Sequence, residues 1–562
     1  AASDVYKRQI QGASIYSRSE GGAAGTIDIV ATGAVEQLSD IISDGETAGG
    51  DIVIQAELGG LELLNAEIAS FAETGAAGNV RLTAQADIIL NSIDSKGLTS
   101  GGAIDITSRT GTITTRGEVT SASIVRDDSD NFTGGGTAGR IALTAAGDIL
   151  TERDIRSEGY LAGGSIELTA GATITTQGEL SSLSPTGRAG NVTLEAPGAI
   201  AVNQDISSEG DQQGGNIGLR STASTVTTQG FLNSFSSSQR AGDVTLQAAG
   251  QITVAREISS EGAQRGGAIS LTSQTGGIDV NGDLDSFSPN GTASAVTLSA
   301  AGNINVAEID SSGPTQGGAI AIESSQGAIA IAGEVTSESL REDDQGLVTG
   351  GDNAGDIAIS ALGNITTLAD VISEGFTVGG RIGMTSSTGS ILNLGNLRSR
   401  SLFNDETSGG RAGTVQLQAG IGVETQAISS AGFTAGGNVQ VVSGLFENSG
   451  GNLIIQGVDS FAPNGVAGDI DIISNGGIST QGNLISEGLT RGGNITVQTA
   501  RDMDTRSIAV RSLSAAGTAG DVTYTANSSV GFGLIDSNGF EQGGAITITS
   551  HQNSIFGFVP IN

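Results

Sequence analysis

The stretch Gly163–Gly215, GGSIELTAGATITTQGELSSLSPTGRAGNVTLEAPGAIAVNQDISSEGDQQGG, opens and closes on Gly-Gly and holds two similar halves. In the half after Gly190 the apolar residues are Val192, Leu194 and Ala196, then Ile200 and Val202, then Ile206. Fifty-two residues on, the same register gives Val244, Leu246, Ala248, Ile252, Val254 and Ile258. Alternation with period two marks strands that bury one face. No segment sustains a period of 3.6, so helices are not expected.

The pattern fills the chain. Gly-Gly landmarks end at Gly50, Gly102, Gly164, Gly215, Gly267, Gly318, Gly380, Gly437, Gly493 and Gly544. Between them lie Ala-Gly landmarks ending at Gly25, Gly78, Gly139, Gly190, Gly242, Gly355, Gly413, Gly468 and Gly520, with Ser294 standing in the remaining copy. The step from an Ala-Gly to the next Gly-Gly is always 24 or 25 residues, whereas the return step runs from 26 to 37. Twenty units in ten pairs follow, one member fixed in length and the other tolerating insertions.

Three short strands per unit, separated by Gly, Ser and Asn corners, describe one coil of a parallel β-helix. The sequence therefore predicts an all-β, right-handed parallel β-helix of about twenty coils, because hexapeptide spacing is absent and right-handed crossovers are the rule. A single coil has no core of its own, and burial comes from the coils above and below. Sharp corners call for glycine, through positive φ or close backbone approach. Residues 1–20 match the repeat poorly, and 1–9 read as foreign to it. Residues 21–550 form one repeat array, and 551–562 lie past its last coil.

Composition narrows function. The chain has 562 residues, 89 of them glycine, with no cysteine and only 3% aromatics, so its core is aliphatic and narrow. Acidic residues outnumber basic ones 60 to 25, for a net charge of −35. Such a field repels phosphate backbones, so nucleic acid is not an expected partner. No apolar run is long enough to span a bilayer as a helix. Cysteine chemistry and disulfides are excluded.

Units such as GGNITVQTA (from Gly492) and AGNVTLEA (from Ala189), followed by ISSEG, resemble the shaft repeats of filamentous-haemagglutinin-like proteins, the passengers of two-partner secretion. The resemblance covers Gly21 to Ser550. It implies a secreted, cell-surface, outer-membrane-associated adhesin or structural rod without catalysis. It also implies export through an outer-membrane secretion partner, with host, cell-surface or matrix glycans and proteins as ligands. The family's amino-terminal secretion domain is not recognisable here, which points to an internal part of such a shaft.

The alternative is a carbohydrate-active β-helix enzyme, a polysaccharide lyase or hydrolase. Glycoside hydrolysis needs two carboxylates about 5–10 Å apart. Here Glu158, Glu209, Glu261, Glu374 and Glu487 follow the repeat instead of breaking it, and Lys96 is the only lysine in the array. His551 is the only histidine. No catalytic residue and no cofactor is assigned. Two insertions 216 residues apart, SIVRDDSDNFTGGGTAG from Ser123 and SLREDDQGLVTGGDNAG from Ser339, sit at the same corner, and a third starts at Ser399. Asp127, Asp128 and Asp130, with Glu342, Asp343 and Asp344, are the candidate oxygen ligands for weak calcium binding. Phe71, Leu183, Phe235, Phe287, Phe461 and Leu513 share one position and read as a core ladder.

Overall fold

The computed structural model describes residues 13–36, 38–126, 132–342, 348–402, 409–445 and 450–557. Described residues are strands and corners, with no helix among them. The chain divides into two compact units, Ala1–Gln274 and Thr275–Asn562. Each is a parallel β-solenoid. The first strand of each coil recurs ten times in the first unit, from Ile27–Ala31 to Ile269–Ser273. It recurs ten times in the second, from Val296–Ala300 to Ile546–Ser550.

Equivalent residues stack directly. Ile166 pairs with Val192, Val192 with Ile217 and Ile217 with Val244. The register follows from the sequence, because a slip by one residue would turn every buried Ile outward. Each coil carries two further strands, such as Ile200–Val202 and Ile206–Gly210. Where the corner between them is one residue shorter, the two fuse, as in Ile304–Asp310 and Val423–Ser429. The core is the column of Ile, Val, Leu and Ala that faces inward along all three strands.

The landmark glycines meet the need for close approach. A Cβ on Gly190 would lie 2.2 Å from the Gly164 carbonyl oxygen, and one on Gly215 would lie 2.2 Å from that of Gly190. None of these landmarks has positive φ. The positive-φ glycines are Gly135, Gly351, Gly409, Gly444 and Gly450, all at or beside insertions. Of the two reasons for glycine, backbone contact between coils governs the repeat, and left-handed φ belongs to the departures from it.

Serine completes the corner. Ser208 is fully buried, donates to the Gly190 carbonyl at 2.7 Å and accepts from the Gly215 N–H at 2.9 Å. Ser157 and Ser182 do the same in the two preceding coils, and Ser486 does so in the second unit. Each hydroxyl satisfies one donor and one acceptor that close packing hides from water.

Asn and Asp act outside as serine does inside. The Asn191 side-chain oxygen accepts the N–H of Asn216, the Asn216 oxygen accepts that of Asp243, and the Asp243 oxygen accepts that of Ala268. Asn438, Asp469, Asn494 and Asp521 repeat the chain of contacts in the second unit. Where Asn or Asp follows a landmark in these series, its side chain is therefore a coil-to-coil clamp.

Candidate functional site

The two longest insertions leave the same corner in the same way. Val119–Arg126 pairs antiparallel with Phe132–Gly135, and Arg341–Glu342 with Val348–Gly350. Gly135 and Gly351, 216 residues apart, have φ of 130° and 132°, and a Cβ added to them would lie 2.2 Å from the carbonyl oxygens of Ser123 and Ser339 respectively. Small antiparallel hairpins thus stand on a parallel scaffold. The sequence located both insertions but not their strand pairing. Asp127, Asp128, Asp130, Asp343 and Asp344 lie outside the described residues, and Glu342 ends the first strand of its hairpin. Among the described residues no group of three or more His, Asp or Glu is placed to hold a metal ion. His551 is exposed.

The repeated glutamates and the aromatic ladder occupy one outward column. In the first unit Leu183 pairs with Glu158 and Glu209, and Phe235 with Glu209 and Glu261. In the second, Glu487 pairs with Phe461 and Leu513, and Glu374 with Arg400 through a 2.6 Å hydrogen bond. These Phe and Leu side chains are half-buried on the outer surface, so the expectation of a core ladder is corrected. Strand phase decides it: Leu232, Ser234 and Ser236 face inward, which leaves Asn233 and Phe235 outside. The interior at this corner takes a hydroxyl, not a ring.

A second outward column was not recognised in the sequence. The residue just before the third strand is acidic on coil after coil. In the first unit these are Glu118, Asp154, Glu179, Asp205 and Glu257; in the second they are Asp283, Glu308, Glu334 and Asp370. Arg156 bridges Asp154 at 2.7 Å and Glu179 at 3.2 Å, and Arg398 meets Asp370 at 2.8 Å. Around Glu308 the acting charges are Asp283, Glu334 and Asp310. Burial first, and then these like charges, raise its carboxyl above the usual range.

At the other end of the same corner, two runs of coils differ. In the first unit five successive coils carry Arg116, Glu152, Gln177, Asn203 and Gln229 there, followed by Ala255. In the second unit four successive coils carry Ala307, Ala332, Leu368 and Leu394, with Leu368 52% and Leu394 45% exposed, before Gln426, Gln456 and Gln481 return. The small residues Ala307, Ala330 and Ala332 sit between Asn281 on one side and Leu368 on the other. They leave a groove of about 330 Å³ floored by Val306 and Ile331. Its lining carries no charged side chain. The signal was present in the second-strand segments, where ITTQG and VTTQG of the first unit become IAIAG and ITTLA. Only the stacking of coils shows that these changes are neighbours.

No described helix is long and apolar enough to cross a membrane. Comparison of the chain with protein-family models, with curated proteins and with solved structures gave no match.

Proposed function

We propose that the chain is an internal part of the shaft of a secreted, surface-displayed structural or adhesive protein of the filamentous-haemagglutinin-like kind. On this reading it works by extending and presenting surfaces, not by catalysis. The observation that carries the reading is the contrast between inside and outside. The interior of most coils repeats one solution of Ile, Gly and Ser in both units, while the outward positions vary and the two longest insertions leave the same corner. Solenoids place their recognition surfaces on such insertions.

Three further facts support it. The repeats resemble those shafts in sequence. The absence of cysteine leaves nothing to cross-link during export. The groove of the second unit has no acid or base in its lining with which to cleave a polysaccharide. Export through an outer-membrane partner, and contact with cell-surface or matrix glycans and proteins, complete the proposal.

Protease shaving of intact native cells tests it. An antibody to this chain should lose its signal when protease is added to unbroken cells, and deletion of the outer-membrane partner should abolish surface staining. Antigen that is protected until the cells are lysed would overturn the proposal.

A further inference from the structure

We propose that the groove of the second unit, with the carboxylate column beside it, is a docking site for an extended cationic-apolar peptide segment of a partner protein. This goes beyond the shaft reading and stands without it, since it concerns the purified chain alone.

Two independent features define the occupant. The groove floor is apolar and of a size for one or two aliphatic side chains. At the other end of the same corner, on the outer face, Asp283, Glu308 and Glu334 stand on three consecutive coils. The stacking distance between coils is about 4.8 Å. The charges acting on Glu308 beyond its own burial are all carboxylates. A cation placed there removes like-charge repulsion, and an aliphatic group in the groove removes exposed apolar surface from water.

Spacing then fixes the pattern. Ala332 and Glu334 are two residues apart across the bend at Gly333, a span of at most about 6.6 Å. A bound strand that lies along the coil and shows Leu and Lys (or Arg) two residues apart on one face reaches both. The first unit supplies an internal control. It has an acidic column as well, but Gln177, Asn203 and Gln229 stand where the groove would be.

The test is fluorescence anisotropy of the whole chain with a labelled peptide Leu-Ser-Lys-Ser-Leu-Ser-Lys. The same peptide with both Leu replaced by Ser is one control, and the peptide with both Lys replaced by Glu is another. Binding should weaken at least about tenfold for each control and for the double variant A307Q/A332Q, which restores the polar residues of the first unit. The variant E308Q/E334Q should bind about fivefold more weakly, and its affinity should no longer fall when salt is raised from about 0.05 to 0.5 M. Melting temperatures that are not lowered will show that these outward changes leave the fold intact.

Equal binding of the Leu-free peptide would overturn the proposal in favour of a cation site. Calcium or spermidine displacing the peptide from A307Q/A332Q as readily as from the native chain would do the same. Concentration-dependent dimerisation that is lost in A307Q/A332Q, with no peptide binding, would replace the partner with a second copy of the chain.

Discussion

The acidic corner of the first unit and that of the second share one stacking register and present different surfaces. Around Asp154 and Glu179 the neighbours are Gln177, Asn203 and a bridging Arg156. Around Glu308 and Glu334 they are Ala307, Ala332 and Leu368, and the nearby charges are acidic. The inward residues hardly change: Ile174, Ile200 and Val226 in one, Ile304, Ile329 and Ile365 in the other, all at most 1% exposed. The solenoid fixes its interior and leaves the outward positions free, so chemistry changes without cost to the fold.

If that is right, interior changes should hurt both units alike. Gly190→Val in the first and Gly355→Val in the second each drive side-chain atoms into a carbonyl 2.2 Å from the Cβ position, with backbone that has no room to yield. Each should cost about 4 kcal/mol or more, read as lost soluble yield or a collapsed melting transition. A large effect in one unit only would break the comparison.

The serine clamp comes next. Ser208→Ala and Ser486→Ala strand a buried carbonyl and a buried N–H, and each should cost about 1–3 kcal/mol in thermal unfolding. Ser207→Ala, one residue away and facing outward, should stay within about 0.5 kcal/mol. Asn216→Ala and Asn494→Ala each remove one partly solvated clamp, at about 1 kcal/mol.

The smallest effect separates the two corners. The folded-state pKa of Glu308 is raised, so its contribution to stability is full at low pH and is lost as pH rises through the folded value. At pH 7 its ionised form opposes folding, and Glu308→Gln should raise the melting temperature by about 1 °C. Glu179 is raised too, by burial and by Asp154, Asp205 and Glu158, with Arg156 offsetting part of the shift, so Glu179→Gln should bring a smaller gain. Asp94, Asp310 and Asp459 are likewise raised, chiefly by burial, and favour stability as pH falls through their folded values toward the ordinary carboxylate range. Glu167 and Asp504, held down by Arg140 and Arg506, work the other way only below the usual carboxylate range.

The coil, its three strands and its register were legible because burial of a single face imposes period two, and stacking imposes the Gly spacing. Two things were not. Phe235 reads as core by its chemistry, yet strand phase puts it outside with Asn233, because the inward corner needs the Ser234 hydroxyl to meet the stacked glycines. The groove is hidden because Ala307, Ala332 and Leu368 lie 25 to 36 residues apart and become neighbours only through stacking. A shorter corner at Ile304–Ile309 than at Ile278–Leu284 goes with the dent. Of the candidate calcium ligands only Glu342 lies among the described residues, so the sequence located their corner and the structure describes only the hairpin strands that flank them.

Disulfide trapping in this naturally cysteine-free chain tests the parallel stack most directly. Ser207 and Asn233 are register partners on adjacent coils, so S207C/N233C should cross-link rapidly under mild oxidation. Phe235 lies two residues further along the same face, which puts its Cα about 8 Å from that of Ser207, beyond disulfide reach. S207C/F235C should therefore stay reduced. Cross-linking of the second pair in preference to the first would contradict the register on which every conclusion about the interior and the groove depends.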